Sequence, residues 1–261
     1  EGVSLEVTAK YMHIQLSSIS TQLGEVSVMA YSSKRKLLDV AAPIAVLEKK
    51  DLVRFDNSTI IPVLNTVTGV KLDYYTFGDY RLNIRGGALA QPSVHSSGYR
   101  MYWNEIPITS ASGGNPLGGL DVNAIQNVEI IKGPGSSMYG AGFGGTMLVT
   151  TDKANVPGTF LNTDLMVGSF GTFRATGGIR SDWSKGNVAV QYTHIGSDGY
   201  RDMSNTNSNV YNLFGQYFIG TKSTLSYLIN YENRDMNISG DLDSLTFYNA
   251  PKTANTIQPT K

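Results

Sequence analysis

Three glycines, Gly140, Gly142 and Gly145, have the spacing of the glycine-rich fingerprint found in dinucleotide-binding proteins. In that fingerprint a helix follows the glycines, so that its N-terminus meets the pyrophosphate. Here residues 146–151 read TMLVTT, which predicts a strand. We therefore interpret the spacing as coincidental and expect these glycines to serve tight turns and close packing.

Other catalytic or metal-binding patterns are also missing from the sequence. The serines of GPGSSMYG do not fit the nucleophile pattern G-x-S-x-G, and His13, His95 and His194 are far apart without metal-ligand spacing. The chain has no Cys, which excludes thiolate metal sites and cysteine nucleophiles. We therefore predict that the protein is not an enzyme and holds no metal or cofactor of its own.

Composition limits the partners and the class of fold. Lys+Arg and Asp+Glu are equal at 21 each, so no net charge favours nucleic acid, and no nucleic-acid partner is expected. The 28 Gly and 15 Tyr indicate a turn-rich β protein. No apolar run is long enough for a membrane helix, whereas the strands of a membrane barrel need only alternate. The chain starts at Glu1 without a signal-peptide pattern, so we expect a mature or excised piece.

The first 36 residues form two short pieces. Residues 1–20 alternate apolar and polar side chains in two runs, which predicts the end of a small β-sandwich. Residues 21–36 place an extended stretch between Gly24 and a polar, basic sequence with little to bury. This pattern predicts a tethered strand, although an ordinary edge strand would have the same composition.

Residues 37–157 mix helical and extended patterns, which predicts one compact α+β domain. PIAVLEKKDL gives a strand and a polar turn, and NSTIIPVLNTVTGV gives a capped helix ending near Gly69, with Pro62 in its first turn. Further strands are predicted in YRLNIRGG, YRMYWNEIPI, QNVEIIKGP and GTMLVTT. The stretches DYYTFGDY and PSVHSSGYR are expected to form apical loops.

Residues 158–261 change to long alternating runs. Five strands are predicted, beginning near residues 160, 172, 187, 210 and 224. A soluble sandwich would alternate too, but the connections are long at one end and short at the other, except for GSFG, and this favours a membrane barrel. Five strands cannot close a barrel around a domain of about 130 residues, so only the first part of the wall is expected.

Four strings carry a family resemblance. Read in order, LGEVSVMA, RLNIRGG, MYWNEIPI and NAIQNVEIIKGPGSSMYGAGFGGTMLVTT resemble the coupling box and plug signatures of the TonB-dependent receptor family, and the resemblance covers residues 21–236. Residues 1–20 are similar to the end of a carboxypeptidase-regulatory-like sandwich. The resemblance implies that sandwich end, a TonB box with linker (21–36), an α+β plug domain (37–157) and the first about five strands of a truncated, transmembrane antiparallel β-barrel (158–261).

The resemblance also implies a function. It predicts a receptor in the outer membrane of a Gram-negative bacterium that imports a scarce ligand. SDGYRDMS in a barrel loop resembles the iron-chelate branch, so a ferric siderophore or other iron chelate is the favoured cargo, with iron as cargo only. The expected partners are the periplasmic C-terminal domain of TonB with its inner-membrane motor, the ligand and outer-membrane lipid. The alternatives are import of a glycan or a cobalamin, and a β-rich binding or adhesion protein without transport.

Three groups of residues are implied as functional. The TonB box would add a strand to a partner sheet and must be extended, accessible and free of proline. Charged residues of two plug strands would form a plug–barrel lock, in which Arg85 and Lys132 would pair with wall carboxylates; salt bridges inside the plug are the alternative. Aromatics and an arginine of the apical loops would suit an anionic iron chelate, although the tyrosines could equally be core. The box is Glu25, Val26, Ser27, Val28 and Met29; the lock is Arg81, Arg85, Glu129 and Lys132; the ligand residues are Tyr74, Tyr75, Phe77, Tyr80, His95, Tyr99 and Arg100.

The sequence departs from the family pattern at two places. Asn104-Glu105 stands where these plugs usually have Asp-Gly, so glycine does not supply the positive φ and the type of turn stays open. Lys132 stands where an arginine is frequent, which leaves a point charge without a bidentate fork.

Overall fold

The structure is a computed structural model with two five-stranded sheets and two small hairpins. No helix in the described part of the chain is long and apolar enough to cross a membrane. The predicted sandwich end at residues 1–20 and the box residues Glu25, Val26 and Met29 lie outside the described residues. The structure describes residues 27–28, 30, 35–36, 40, 42–55, 59–76, 79–87, 98–111, 113–120, 122–151, 157–220 and 222–255.

The plug is built around a mixed sheet with the order β3-β8-β9-β6-β7. Strand β6 runs parallel to β9, and the other neighbours are antiparallel. Each strand predicted in PIAVLEKKDL, YRMYWNEIPI, QNVEIIKGP and GTMLVTT is present. The bounds are β3 (Ile44–Glu48), β6 (Tyr99–Trp103), β7 (Ile106–Pro107), β8 (Ile125–Lys132) and β9 (Gly145–Thr151).

One face of this sheet carries the main hydrophobic core. Val128 and Ile130 of β8 and Met147 of β9 point into it and are fully buried. The core is closed by a hairpin of β4 (Val70–Thr76) and β5 (Asp79–Ile84), by short helices α1 (Lys49–Leu52) and α2 (Ile61–Leu64), and by 3-10 turns at Leu117–Gly119 and Val122–Ala124. Two odd-numbered residues of β8, Glu129 and Ile131, are buried on the opposite face.

Two predictions in this part of the plug were wrong. The helix expected to reach Gly69 is the single turn α2, because the Asn65 side chain bonds to both backbone groups of Leu72 and ties the chain to β4. The expected apical loop DYYTFGDY contributes instead to both strands of the β4–β5 hairpin, whose pairing includes Tyr74 opposite Tyr80.

The wall sheet consists of five antiparallel strands in chain order. The predicted strand starts agree to within two residues, except that β13 begins at Thr206 rather than near 210. The bounds are β10 (Gly158–Val167), β11 (Phe173–Trp183), β12 (Gly186–Ser197), β13 (Thr206–Ile219) and β14 (Ser223–Met236).

The wall sheet is apolar where it is exposed and polar where it is buried, the reverse of a sheet in a soluble protein. Its exposed face is apolar: Leu165 is 75% exposed and Ile229 is 58% exposed. Its other face is polar and buried: Arg174 and Thr193 are each 2% exposed. Across the exposed face the register aligns a row of aliphatic side chains. They are Leu161, Ile179, Val190, Leu213 and Ile229.

An aromatic row borders this apolar face. Tyr192, Tyr211 and Tyr231 are directly opposite one another on β12, β13 and β14, with ring centroids 5.0 and 6.1 Å apart. One step further along the same face, β14 presents the polar Asn233. On β12, β13 and β14 the face therefore changes from apolar to polar across one row of tyrosines, whereas on β10 and β11 it stays apolar beyond that row, at Leu165 and Phe173.

The β6–β7 turn keeps a conformation that normally requires glycine. Asn104 has φ 49° and Glu105 has φ 71°, both in the left-handed region. Asn104 is held there because its side chain accepts from the Thr151 backbone N–H at 2.9 Å and donates to the Thr151 hydroxyl at 2.6 Å. No such side-chain bond holds Glu105 among the described residues. The departure from Asp-Gly has therefore left the turn type unchanged.

We expect Glu105→Gly to stabilise the turn and Asn104→Gly to weaken it. Glycine removes the cost of a left-handed non-glycine residue, about 0.5–1 kcal/mol, so amide hydrogen exchange in residues 99–109 should slow about two- to fivefold in Glu105→Gly. In Asn104→Gly the two bonds to Thr151 are lost and exchange should accelerate. Equal effects of the two substitutions on exchange would contradict this account of the turn.

Candidate functional site

Part of the predicted coupling box is packed against the plug. We call Ser27 and Val28 of the box, together with Ala30, the coupling segment. Strand β1 (Ser27–Val28) pairs with β2 (Arg35–Lys36) in a short antiparallel hairpin. Val28 and Ala30 are 0% exposed and pack on Ile131, on the face of the plug sheet that does not carry the main core. The segment is extended, as expected, but the Val28 side chain is not accessible as the box prediction required.

The Glu129 side chain contacts this segment from the plug sheet. Its carboxylate is 1% exposed and accepts a hydrogen bond from the Ala30 backbone N–H at 2.9 Å. Burying a carboxylate is unfavourable unless it accepts hydrogen bonds. The bond from the Ala30 N–H therefore stabilises Glu129 in its buried position. The structure thus brings Glu129 to the coupling segment, on the sheet face opposite to Val128 and Ile130.

Two of the four expected lock residues lie side by side. Arg85 donates from Nη1 to the Lys132 carbonyl at 3.0 Å, and Lys132 donates from Nζ to the Thr68 carbonyl at 3.2 Å. Neither forms an ion pair within the described part of the chain. Arg81 lies in the β4–β5 hairpin opposite Asp73. The expected pairing with wall carboxylates stays a prediction.

Three carboxylates of the wall strands already have arginine partners on the wall. Asp164 pairs with Arg174 at 3.1 Å, and Asp182 pairs with Arg180 at 3.1 Å. Glu232 pairs with Arg234, and Glu232 also accepts from the Ser208 hydroxyl at 3.0 Å. These charges are neutralised within the wall sheet.

The expected ligand residues are divided by the structure. Tyr80 and Tyr99 are 6% and 3% exposed and belong to the main core, which is the alternative that the sequence left open. Arg100 is half-buried and donates from Nε to the Ala141 carbonyl at 2.9 Å, where it supports the glycine-rich loop. Phe77, His95 and the side chains of Tyr74 and Tyr75 lie outside the described residues.

The plug meets the polar face of the wall. Leu228 of β14 packs on the plug core, and Asn230 lies against Gly119 so closely that a Cβ there would be 3.1 Å from its amide. Nearer β10 and β12, a cavity of about 290 Å³ separates the two parts. Its lining mixes polar and apolar side chains, and the polar ones can hydrogen-bond to water. The lining includes Asn123, Ala124 and Thr151 of the plug and Asn162, Ala189 and Gln191 of the wall.

An arginine that sequence reasoning did not single out braces the long-connection end of the wall. Arg201, within SDGYRDMS, donates four hydrogen bonds to the carbonyls of Ser239, Gly240 and Thr253, at 2.7 to 3.3 Å. It thereby fastens residues 237–255 to the β12–β13 connection. In that segment Asp243 caps helix α4 (Ser244–Asn249), and the Thr246 backbone N–H lowers the pKa of the Asp243 carboxyl.

A second unpredicted brace lies in the plug. The Lys49 ammonium donates to the carbonyls of Asn123 and Ile125 at 2.9 and 3.0 Å, and so ties α1 to the start of β8. The acceptors are backbone carbonyls more than seventy residues away in sequence. No pattern of residue types in the sequence predicts such a contact.

A sheet that is apolar where exposed and polar where it faces an inner domain defines the wall of an outer-membrane β-barrel with its plug. Residues 36–146 match the family described as TonB-dependent Receptor Plug Domain. The chain therefore contains the plug domain of TonB-dependent receptors, proteins that lie in the outer membrane of Gram-negative bacteria. The predicted fold class, a plug followed by barrel strands, is confirmed.

Known relatives agree with this assignment. The chain is 27% identical over 143 residues to a vitamin B12 transporter, BtuB of Vibrio vulnificus, covering 53% of this chain and 22% of the relative. It superposes on FpvA of P. aeruginosa bound to pyoverdine with a TM-score of 0.64 at 16% identity, covering 80% of this chain and 27% of that one. For the copper transporter OprC the TM-score is 0.59 at 16% identity, with 77% and 32% covered. The chain thus spans about a fifth to a third of the length of these proteins.

We expect Arg201→Lys to loosen residues 237–255. Lysine keeps the charge but has one nitrogen in place of the three from which Arg201 donates, so it cannot keep all four bonds and hydrogen exchange in this segment should accelerate about tenfold. Lys222→Arg, in the short turn at the other end of the wall, is the matched control and should leave the segment unchanged. Unchanged exchange in Arg201→Lys would contradict the role of the brace.

The polarity of the wall predicts where a charge is tolerated. Ile229→Arg places a guanidinium among lipid chains and should destabilise the folded wall by about 2–4 kcal/mol, with less folded receptor recovered from the outer membrane. Asn233→Arg, on the same strand and face but beyond the tyrosine row, should be tolerated. Heat-modifiable gel mobility of the complete receptor measures both. Equal losses would mean that the tyrosine row does not mark the edge of the lipid.

Proposed function

We propose that the complete receptor containing this chain imports a scarce ligand across the outer membrane, energised by TonB. The observation that carries the proposal is the coupling segment packed on a plug that itself lies against the polar face of a barrel wall. A pull on residues 25–29 would reach the plug directly through Val28 and Ala30. The periplasmic domain of TonB would take the box by strand addition, which uses backbone N–H and C=O groups.

We propose an iron chelate, most simply a ferric siderophore, as the cargo. SDGYRDMS resembles the iron-chelate branch, and FpvA, a relative in fold, is bound to an iron pyoverdine. With Tyr80 and Tyr99 in the core, contact with the chelate would fall to Tyr74, Tyr75, Phe77, His95 and Arg100. Since Arg201 is engaged with backbone carbonyls, the motif supports the cargo only through its place in the loop.

A cobalamin is the second candidate cargo. It is favoured by the 27% identity to a protein named as a vitamin B12 transporter. Lipid would contact the apolar face of the wall, and we propose neither a catalytic role nor a nucleic-acid partner. A glycan cargo and a non-transporting adhesin are outcomes of the test below.

We expect Val26→Pro to abolish uptake and to leave surface binding intact. Proline removes a backbone N–H from the segment that would pair with the partner sheet, whereas Val26→Leu keeps it and serves as the control. The measurement is accumulation of labelled ferric siderophores, vitamin B12 and oligosaccharides by cells carrying the complete receptor or either variant.

The outcomes separate cargo from coupling. Uptake of one ligand that is lost in Val26→Pro and kept in Val26→Leu supports both parts of the proposal. Uptake that is indifferent to the proline contradicts coupling through the box. Binding without uptake in all three receptors would favour an adhesion or binding role.

A further inference from the structure

The second face of the plug sheet has an unusual cover. The main core covers one face, and on the other face Val28 and Ala30 form a small cluster with Ile131. Half-buried apolar side chains of the sheet and of helix α3 (Ser136–Tyr139) pack around it. They are Ile44, Val46, Tyr139 and Leu148, joined by Val40. The fully buried part of this described cover is Val28 and Ala30 of the coupling segment, and Val40 and Tyr139 complete it.

Glu129 of the plug sheet lies beneath this cover. It is directly opposite Leu148 in the β8–β9 register, and one neighbouring position along β8 on the same face is Ile131. A carboxylate among apolar side chains is unfavourable unless it is hydrogen-bonded. The Ala30 backbone N–H supplies one such bond, which a segment displaced by a single residue could not supply in the same place.

We propose that Glu129 is a positioning residue that sets the register of the coupling segment on the plug, and that the segment is the removable cover of the sheet's second face. The proposal rests on the proposed function, since it specifies what a pull on the box must break. Removing the segment takes the Ala30 N–H from Glu129 and exposes Ile131 and Leu148 to water. The box then cannot leave without uncovering the plug sheet beneath it.

Cysteine accessibility tests the proposal, because the chain has no cysteine of its own. Single cysteines are placed in the complete receptor at Ser27→Cys in the segment, Leu148→Cys on the covered face and Val63→Cys in the main core. Outer-membrane fragments without TonB are treated with a membrane-impermeant maleimide, and the rates of labelling are compared. Each reporter is combined with Glu129→Leu, with Glu129→Gln and with Glu48→Gln, a surface control.

The expected result is local release of the segment. Glu129→Leu should raise the labelling rate at Ser27→Cys and Leu148→Cys about tenfold, since a hydrogen bond to a charged acceptor is lost. Glu129→Gln keeps an acceptor oxygen and should give a smaller increase. Val63→Cys should label at its original slow rate throughout, and Glu48→Gln should change none of the rates.

Two outcomes would overturn the proposal. Unchanged labelling of Ser27→Cys in both Glu129 variants would mean that the carboxylate does not hold the segment. Equal acceleration at all three reporters would mean that Glu129 supports the plug as a whole. Neither readout depends on import, so a receptor that transports nothing could still pass this test, and a transporting one could fail it.

Discussion

The whole arrangement depends on the reversed polarity of the wall sheet. Lipid requires an apolar outer face, so the inner face carries Arg174, Thr176 and Thr193. A plug lying against such a face gains little hydrophobic burial from it; Leu228 is the wall residue that packs on the plug core. The plug must therefore be stable by its own core, and its contact with the wall can be polar and hydrated. Such a contact is easier to break than a dry apolar one.

A self-sufficient plug must cover both faces of its central sheet. One face is closed by the β4–β5 hairpin, short helices and 3-10 turns, which come from the stretch between β3 and β9. The other is closed by residues at the start of the described chain, with Glu129 as the polar anchor. Stability of the plug and attachment of the coupling segment are thus aspects of one packing problem.

Local patterns predicted much of this fold. Alternation located the strands of the wall, and the strand after the glycines was sufficient to reject a nucleotide site. DYYTFGDY was expected to form a loop because its aromatic residues were interpreted as ligand contacts, whereas it contributes to both strands of a hairpin. What sequence could not supply was contact over distance: Ala30 meets Glu129 ninety-nine positions away, and Arg201 meets Thr253 fifty-two positions away. Both acceptor–donor pairs involve backbone atoms, which every residue possesses, so no residue type marks them.

The short β1–β2 hairpin has a mechanical consequence. Ser27 pairs with Lys36 at the end of the hairpin where the chain enters it, and Val28 pairs with Arg35. Tension applied through the residues before Ser27 loads that end first, so the backbone bonds break one after another, as in unzipping, and never in parallel. The Ala30–Glu129 bond comes last in that sequence. The receptor would thus yield in small steps, and resistance would rise as the buried Val28 and then Ala30 leave the plug sheet.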